Sequence, residues 1–179
     1  MKTFIKSIVT ATFLLTTSHS VFSADTGLGS VTFTGKILSA ACKISIEGQT
    51  GNEVKLGEWP TSTFKAVGDK TIPQPFKLLV SDCLPGTFNF NFTGAADTND
   101  ANLLQVSGGA DGVGIAIANA NALTDTVKIN TASGTESNAA LKIDGTKGEL
   151  QLQAYYQSTL ETVTPGEANA TVRVTLQQK

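Results

Sequence analysis

Polar and aromatic residues alternate strictly at positions 87–92, which read TFNFNF. Successive side chains of a β-strand point to opposite faces of its sheet, so the three phenylalanines share one face and the asparagines lie on the other. A period of two residues predicts a half-buried strand whose aromatic face lies in the core. The fold class follows from how often this pattern returns along the chain.

The same alternation recurs on both sides of this strand. It predicts further strands at 31–37, 54–56, 76–80, 113–117, 150–156 and 168–176. No stretch longer than about ten residues keeps the spacing of an amphipathic helix. Turn-rich segments separate the predicted strands, and no internal repeat or interdomain linker is visible. The sequence therefore predicts one all-β domain, an antiparallel β-sandwich of immunoglobulin type.

The first 23 residues have the three-part pattern of a secretory signal peptide. Lys2 and Lys6 supply the positive charge, positions 8–15 form a short apolar core, and Ser23 supplies the small residue before the expected cleavage site. An apolar core of about eight residues is too short for a bilayer, which needs roughly 20. We expect residues 1–23 to be removed and the remaining chain to be exported as a soluble protein.

The composition excludes several function classes. The chain has 13 basic and 15 acidic residues, so it lacks the positive charge of a nucleic-acid-binding domain. Its one histidine, His19, lies in the predicted signal peptide. The mature chain therefore has no histidine, which Ser-His-Asp catalysis, Cys-His catalysis and histidine-containing metal sites all require. We expect no enzyme activity, no cofactor, no metal and no nucleic-acid partner.

Two short motifs suggest chemistry, but their surroundings do not fit. Residues 62–65, STFK, match the S-x-x-K pattern of serine acyl enzymes without the helix start that this chemistry requires. Residues 97–100, DTND, offer oxygen ligands for calcium, yet Ala101 stands where a third ligand would fall. We interpret both motifs as ordinary turns.

The two cysteines of the chain, Cys42 and Cys83, predict one structural disulfide bond. An even cysteine count in an exported protein favours a bridge over reactive thiols. For a loop of about 41 residues, chain-entropy arithmetic gives about 4 kcal/mol of stabilisation.

Nine segments of the chain, taken in their order and spacing, carry a family resemblance. They are residues 29–37, 41–42, 54–57, 81–83, 91–97, 101–104, 112–115, 154–156 and 164–171. Together they resemble the fimbrial subunits, or pilins, of the chaperone–usher pathway. The resemblance covers essentially the whole mature chain.

The resemblance implies an incomplete immunoglobulin-like sandwich that lacks its last strand and is completed by donor-strand exchange. It divides the chain into a signal peptide, 1–23, an N-terminal donor-strand extension, 24–37, and a pilin domain, 38–179. The inserted face of the donor strand would be formed by Val31, Phe33, Gly35 and Ile37. The terminal strand that accepts the donor, and that faces the chaperone beforehand, would present Ala168, Ala170, Val172, Val174 and Leu176.

The resemblance also implies the partners. In this family a periplasmic chaperone lends a strand until the extension of the next subunit replaces it. The expected partners are therefore a periplasmic pilus chaperone, an outer-membrane usher and other fimbrial subunits, and the expected location is a surface fimbria that contributes to cell adhesion.

One alternative function remains open on sequence grounds, a monomeric secreted binding module for carbohydrate. Trp59 could serve as a stacking platform, and the alternation at 150–156 places Tyr155 on the outer face of its strand. This alternative predicts that both rings are exposed.

Overall fold

The computed structural model describes residues 31–35, 42–47, 52–132 and 135–179. The chain divides into two units, Met1–Ile37 and Leu38–Lys179. In the first unit the described residues form no strand, and Val31 and Phe33 are 75% and 91% exposed. The strand predicted at 31–37 is therefore not formed over 31–35, while Ile37 and the predicted signal peptide lie outside the described residues.

The described residues of the second unit form eight strands and one short 3-10 turn at Thr61–Thr63. The strands are β1 Lys43–Glu47, β2 Gln74–Ser81, β3 Gly86–Gly94, β4 Leu104–Gln105, β5 Val113–Asn119, β6 Ala140–Ile143, β7 Gly148–Ser158 and β8 Val172–Gln178. The part of the chain that the structure describes contains no α-helix, and hence none long and apolar enough to cross a membrane. The all-β prediction is confirmed.

The strands form two antiparallel sheets. One has the order β1-β2-β7-β5-β4 and the other the order β6-β3-β8. Phe88, Phe90 and Phe92 of β3 are all at least 95% buried, and they belong to one hydrophobic core with Leu78 of β2 and Leu152 of β7. The aromatic face of the TFNFNF segment thus lies between the sheets, as the alternation predicts.

The predicted strands differ from the observed ones in two ways: some strands are missing or extra, and one begins at a different residue. Residues 54–56 form no strand, and β1, β4 and β6 are strands that the prediction lacks. The last strand begins at Val172, four residues after its predicted start, because residues 164–169 pair with a loop instead of a sheet.

The predicted disulfide bond is confirmed. Cys42 and Cys83 are bonded, with their Cα atoms 4.7 Å apart. Cys42 directly precedes β1, and Cys83 follows β2 by two residues. The bond therefore fixes the start of β1 to the end of the strand beside it.

The prediction that Tyr155 faces solvent is wrong. Its side chain is fully buried in a small cluster with Leu103, Ala116 and Ala118. Its hydroxyl donates a hydrogen bond to the carbonyl of Leu123, 3.2 Å away. Tyr155 does lie on the opposite face from the main core, but the loop after β5 covers that face at this point.

Candidate functional site

Four strands, β1, β4, β6 and β8, lie at sheet ends with one neighbour each among the described residues, and two of them, β1 and β8, border the same groove. β1 lies at the end of its sheet beside β2, and β8 lies at the end of the other sheet beside β3. The second edge of each strand is therefore not paired with any strand among the described residues. An edge strand presents a row of backbone N–H and C=O groups to which a further strand can bind.

A groove of about 1180 Å³ runs between these two edges. Apolar side chains from both sheets line it. They are Ile44 and Ile46 of β1, Phe76 and Leu78 of β2, Phe92 of β3, Ile115 and Ile117 of β5, Ala154 and Tyr156 of β7, and Val172 and Val174 of β8. The groove therefore opens directly onto the hydrophobic core.

The β8 wall of the groove alternates as predicted. Val174 lies opposite Phe92 and Leu176 opposite Phe90, so both side chains face the core side of the sheet and are half-buried. Arg173 and Thr175 lie on the other face and are exposed. The wall thus offers apolar side chains to the interior, and its outer backbone edge pairs with no strand among the described residues.

Ala168 and Ala170, also predicted for this wall, precede β8 but still line the groove. Isolated bridges pair Ser107 with Asn169, Gly109 with Glu167 and Asp111 with Thr164. We call these two paired segments, 107–111 and 164–169, the clasp. Of the five predicted acceptor residues, the structure brings the first four together along the groove, and Leu176 lies beyond its lining.

Tyr156 connects the floor of the groove to the clasp. Its hydroxyl donates a hydrogen bond to the carbonyl of Ala168 at 2.8 Å. Burial, together with the nearby carboxylate of Glu167, raises the pKa of the phenol above its ordinary value, so the hydroxyl stays protonated and remains a donor. The alternation at 150–156 predicts that Tyr156 faces inward, but it carries no sign of the contact with Ala168.

Trp59 also lines the groove. Its ring is half-buried, and its Nε1–H donates to the carbonyl of Leu56 at 2.9 Å. With Tyr155 buried elsewhere, the two rings of the proposed carbohydrate module do not form a common exposed surface.

The polar motifs form turns, as we interpreted them. Oδ1 of Asp97 accepts hydrogen bonds from the backbone N–H groups of Asn99 and Asp100, at 2.8 and 3.1 Å. Ser62 lies in the 3-10 turn. Across the described ranges, no group of three or more His, Cys, Asp and Glu side chains is placed to hold a metal ion.

Together, these features define an immunoglobulin-like sandwich with an apolar groove between two edge strands, β1 and β8. Comparisons with known proteins give its family. The family described as "Fimbrial protein" matches residues 31–178. The chain is 40% identical to the probable major fimbrial subunit LpfA of Escherichia coli O157:H7 and 39% identical to long polar fimbria protein A of Salmonella typhimurium, in each case over 96% of both chains.

The fold agrees with this match. The crystal structure of the P pilus rod subunit PapA superposes with a TM-score of 0.61 at 20% identity, and covers 77% of this chain and 99% of that one. The chain belongs to the fimbrial protein family, and it is a structural subunit of a fimbria.

Proposed function

We propose that this subunit polymerises by donor-strand exchange, in which the groove between β1 and β8 receives the N-terminal extension, residues 24–37, of another subunit. The observation that carries the proposal is the apolar groove bounded by two unpaired strand edges. A strand added there would bind through its backbone to the edge and through alternate side chains to the groove.

The extension has the composition that such a groove requires. Residues 31–37 span as many positions as the seven residues of β8, a length of about 23 Å for an extended strand. Val31, Phe33 and Ile37 alternate with polar residues and would enter the groove. Val31 and Phe33 are exposed in the chain, so they are not part of its core. Gly35 suits a position where the facing backbone leaves no room for a Cβ.

The energetics favour insertion. Burying one valine, one phenylalanine and one isoleucine contributes about 4–9 kcal/mol before entropy is counted. Each backbone hydrogen bond to the strand edge adds about 0.5–1.5 kcal/mol. The acceptor side chains would be Ala168, Ala170, Val172, Val174 and Leu176.

The same proposal gives the assembly route. The signal-peptide pattern at 1–23 directs export, and an oxidising compartment suits the Cys42–Cys83 bond. In the periplasm a pilus chaperone would occupy the groove until an outer-membrane usher brings the next subunit. The role of the chain is then structural and not enzymatic, in a surface fimbria that contributes to cell adhesion.

The test is a pair of single substitutions in the extension. Because Phe33 is 91% exposed in the chain, Phe33→Asp will leave the subunit fold unchanged while placing a carboxylate in the groove of the acceptor. We expect it to abolish the SDS-resistant ladder of multimers. Thr34→Asp, one position along and on the other face, is the matched control and will retain the ladder.

A second pair probes the acceptor. Val174→Asp will prevent ladder formation, whereas Thr175→Asp, on the exposed face of β8, will not. The proposal is wrong if Phe33→Asp chains form ladders as wild-type chains do, or if the wild-type chain forms none with its extension intact.

A further inference from the structure

Tyr155 and Tyr156 are adjacent in β7. Each donates a hydrogen bond from its hydroxyl to a backbone carbonyl, but the two bonds lie in different parts of the fold. The Tyr155 hydroxyl donates to the carbonyl of Leu123 within the small cluster on the outer side of its sheet. The Tyr156 hydroxyl donates to the carbonyl of Ala168 at the groove. The second contact links the floor of the groove to the segment that leads into its wall.

This wall consists of the segment before β8 and of β8 itself, and different contacts hold these two parts in place. Before β8, backbone hydrogen bonds join the two segments of the clasp, among them Ser107 N–H to the Asn169 carbonyl at 2.8 Å and Glu167 N–H to the Gly108 carbonyl at 3.0 Å. From Val172 onward the wall is β8, which pairs with β3 of its own sheet, the sheet that does not contain β7. Within the described residues, the Tyr156 hydroxyl makes the one side-chain hydrogen bond between β7 and the clasp.

We propose that Tyr156 is a positioning residue for strand exchange: its hydroxyl holds the segment that leads into β8 at a fixed separation from β7, so that the groove has the width that an incoming strand requires. This inference rests on the proposed function of the groove. In this proposal the ring of Tyr156 packs against the core, and its hydroxyl has a separate role in strand binding.

The geometry separates this role from a purely structural one. Removing the hydroxyl leaves the ring and its core contacts in place. The carbonyl of Ala168 belongs to a half-buried residue, so solvent can replace the lost donor at small cost to folding. Segment 164–169 of the clasp, however, would lose its direct side-chain hydrogen bond to β7. The loss should therefore appear in strand exchange more than in unfolding.

The experiment compares Tyr156→Phe with Tyr155→Phe in the full chain carrying Phe33→Asp, whose own extension leaves the grooves of neighbouring chains open to the probe. In this comparison, wild type means that chain with both tyrosines intact. Tyr155→Phe is the matched control, since it removes a hydroxyl bonded to a backbone carbonyl away from the groove. The probe is a fluorescently labelled synthetic peptide with the sequence of residues 24–37. Its association and release rates are measured by anisotropy, and the urea midpoint of each chain is measured in parallel.

We expect Tyr156→Phe to weaken peptide binding by about three- to tenfold, the loss of one hydrogen bond. Tyr155→Phe should bind the peptide as the wild-type chain does. Amide hydrogen exchange across 164–169 should be faster in Tyr156→Phe than in the control.

The inference is overturned if Tyr156→Phe binds the peptide like the wild type, if both variants lose binding equally, or if Tyr156→Phe fails to fold. A wild-type chain that does not take up the peptide would instead contradict the proposed function itself.

Discussion

At the scale of single residues, Asp69 shows how one carboxylate shapes a loop. Its Oδ2 accepts hydrogen bonds from the backbone N–H groups of Lys65 and Ala66, at 2.6 and 2.8 Å. These two bonds lower the pKa of Asp69 below its ordinary value. The charged carboxylate thus closes the loop 65–69 that precedes β2.

This pKa shift predicts an acid dependence. Because the pKa is lower in the folded than in the unfolded chain, the contribution of Asp69 is fully present above the unfolded value and is lost as the pH falls through the folded value. We expect the urea midpoint of Asp69→Asn to change less than that of the wild type over this acidic range. Urea titrations at a series of pH values test this, and identical acid profiles would contradict it.

The two neighbouring tyrosines show the limit of sequence patterns at this scale. Alternation correctly places Tyr155 and Tyr156 on opposite faces of β7. It does not indicate that the outer face is covered at Tyr155, because the covering loop comes from after β5, more than 30 residues earlier in the chain. The hydrogen bond from Tyr156 to Ala168 is equally absent from the pattern, since it depends on how the clasp folds.

At the scale of elements, long apolar strands were predicted well and short or irregular ones were not. Residues 76–80, 113–117 and 150–156 all lie within strands of seven to eleven residues, and each segment places buried apolar side chains in the core. β1, with the sequence KISIE, alternates just as clearly but is only five residues long, and the prediction lacked it. Residues 54–56 show a similar short pattern and form no strand. A short alternation becomes a strand only where a neighbour pairs with it, as β2 does with β1.

The clasp is an element with a sharp steric requirement. A Cβ built on Gly166 would lie 2.2 Å from the backbone nitrogen of Ala110 and 2.3 Å from the carbonyl carbon of Gly109. Such distances are too short for any side chain, so glycine is needed for the two segments of the clasp to approach each other. Gly166 belongs to residues 164–171, one of the segments that resemble pilins. This close contact explains why glycine stands at that position.

Gly166→Ala is therefore expected to open the clasp. Forcing the two backbones apart should lower the free energy of unfolding by about 1–3 kcal/mol. Gly145→Ala is the matched control, because a Cβ there meets nothing within 4 Å. Urea denaturation of both variants measures the difference. Equal midpoints for the two variants would show that the clasp accommodates the added methyl group with no loss of stability.

At the scale of the whole molecule, the sequence predicted the wall of the groove better than the groove itself. The apolar alternation of β8 and the resemblance to pilins together indicated an open edge. The sequence does not predict the opposite wall, β1, or the contribution of Trp59 to the lining of the groove. A groove is a gap between elements distant in the chain, so it follows from how the sheets pack rather than from any local pattern.

If the sandwich lacks a strand, binding of that strand should stabilise the entire domain. A ligand that binds only the folded chain stabilises it by an amount that grows with the logarithm of its concentration, about 2.7 kcal/mol at one hundred times its dissociation constant. A peptide with the sequence of residues 24–37, added to a chain that lacks this segment, should therefore raise the urea midpoint in proportion to that logarithm. The single tryptophan, Trp59, lines the groove and should report insertion through its fluorescence.

Two altered peptides make this measurement specific to the register of insertion. The peptide with Phe33→Asp should leave both the midpoint and the Trp59 emission unchanged, because its carboxylate would have to enter the apolar groove. The peptide with Thr34→Asp should act as the unmodified one does, since position 34 points away from the groove in an extended strand. If both altered peptides stabilise the chain equally, the side chains do not enter the groove alternately. If neither they nor the unmodified peptide stabilise it, the extension is not the strand that completes this domain.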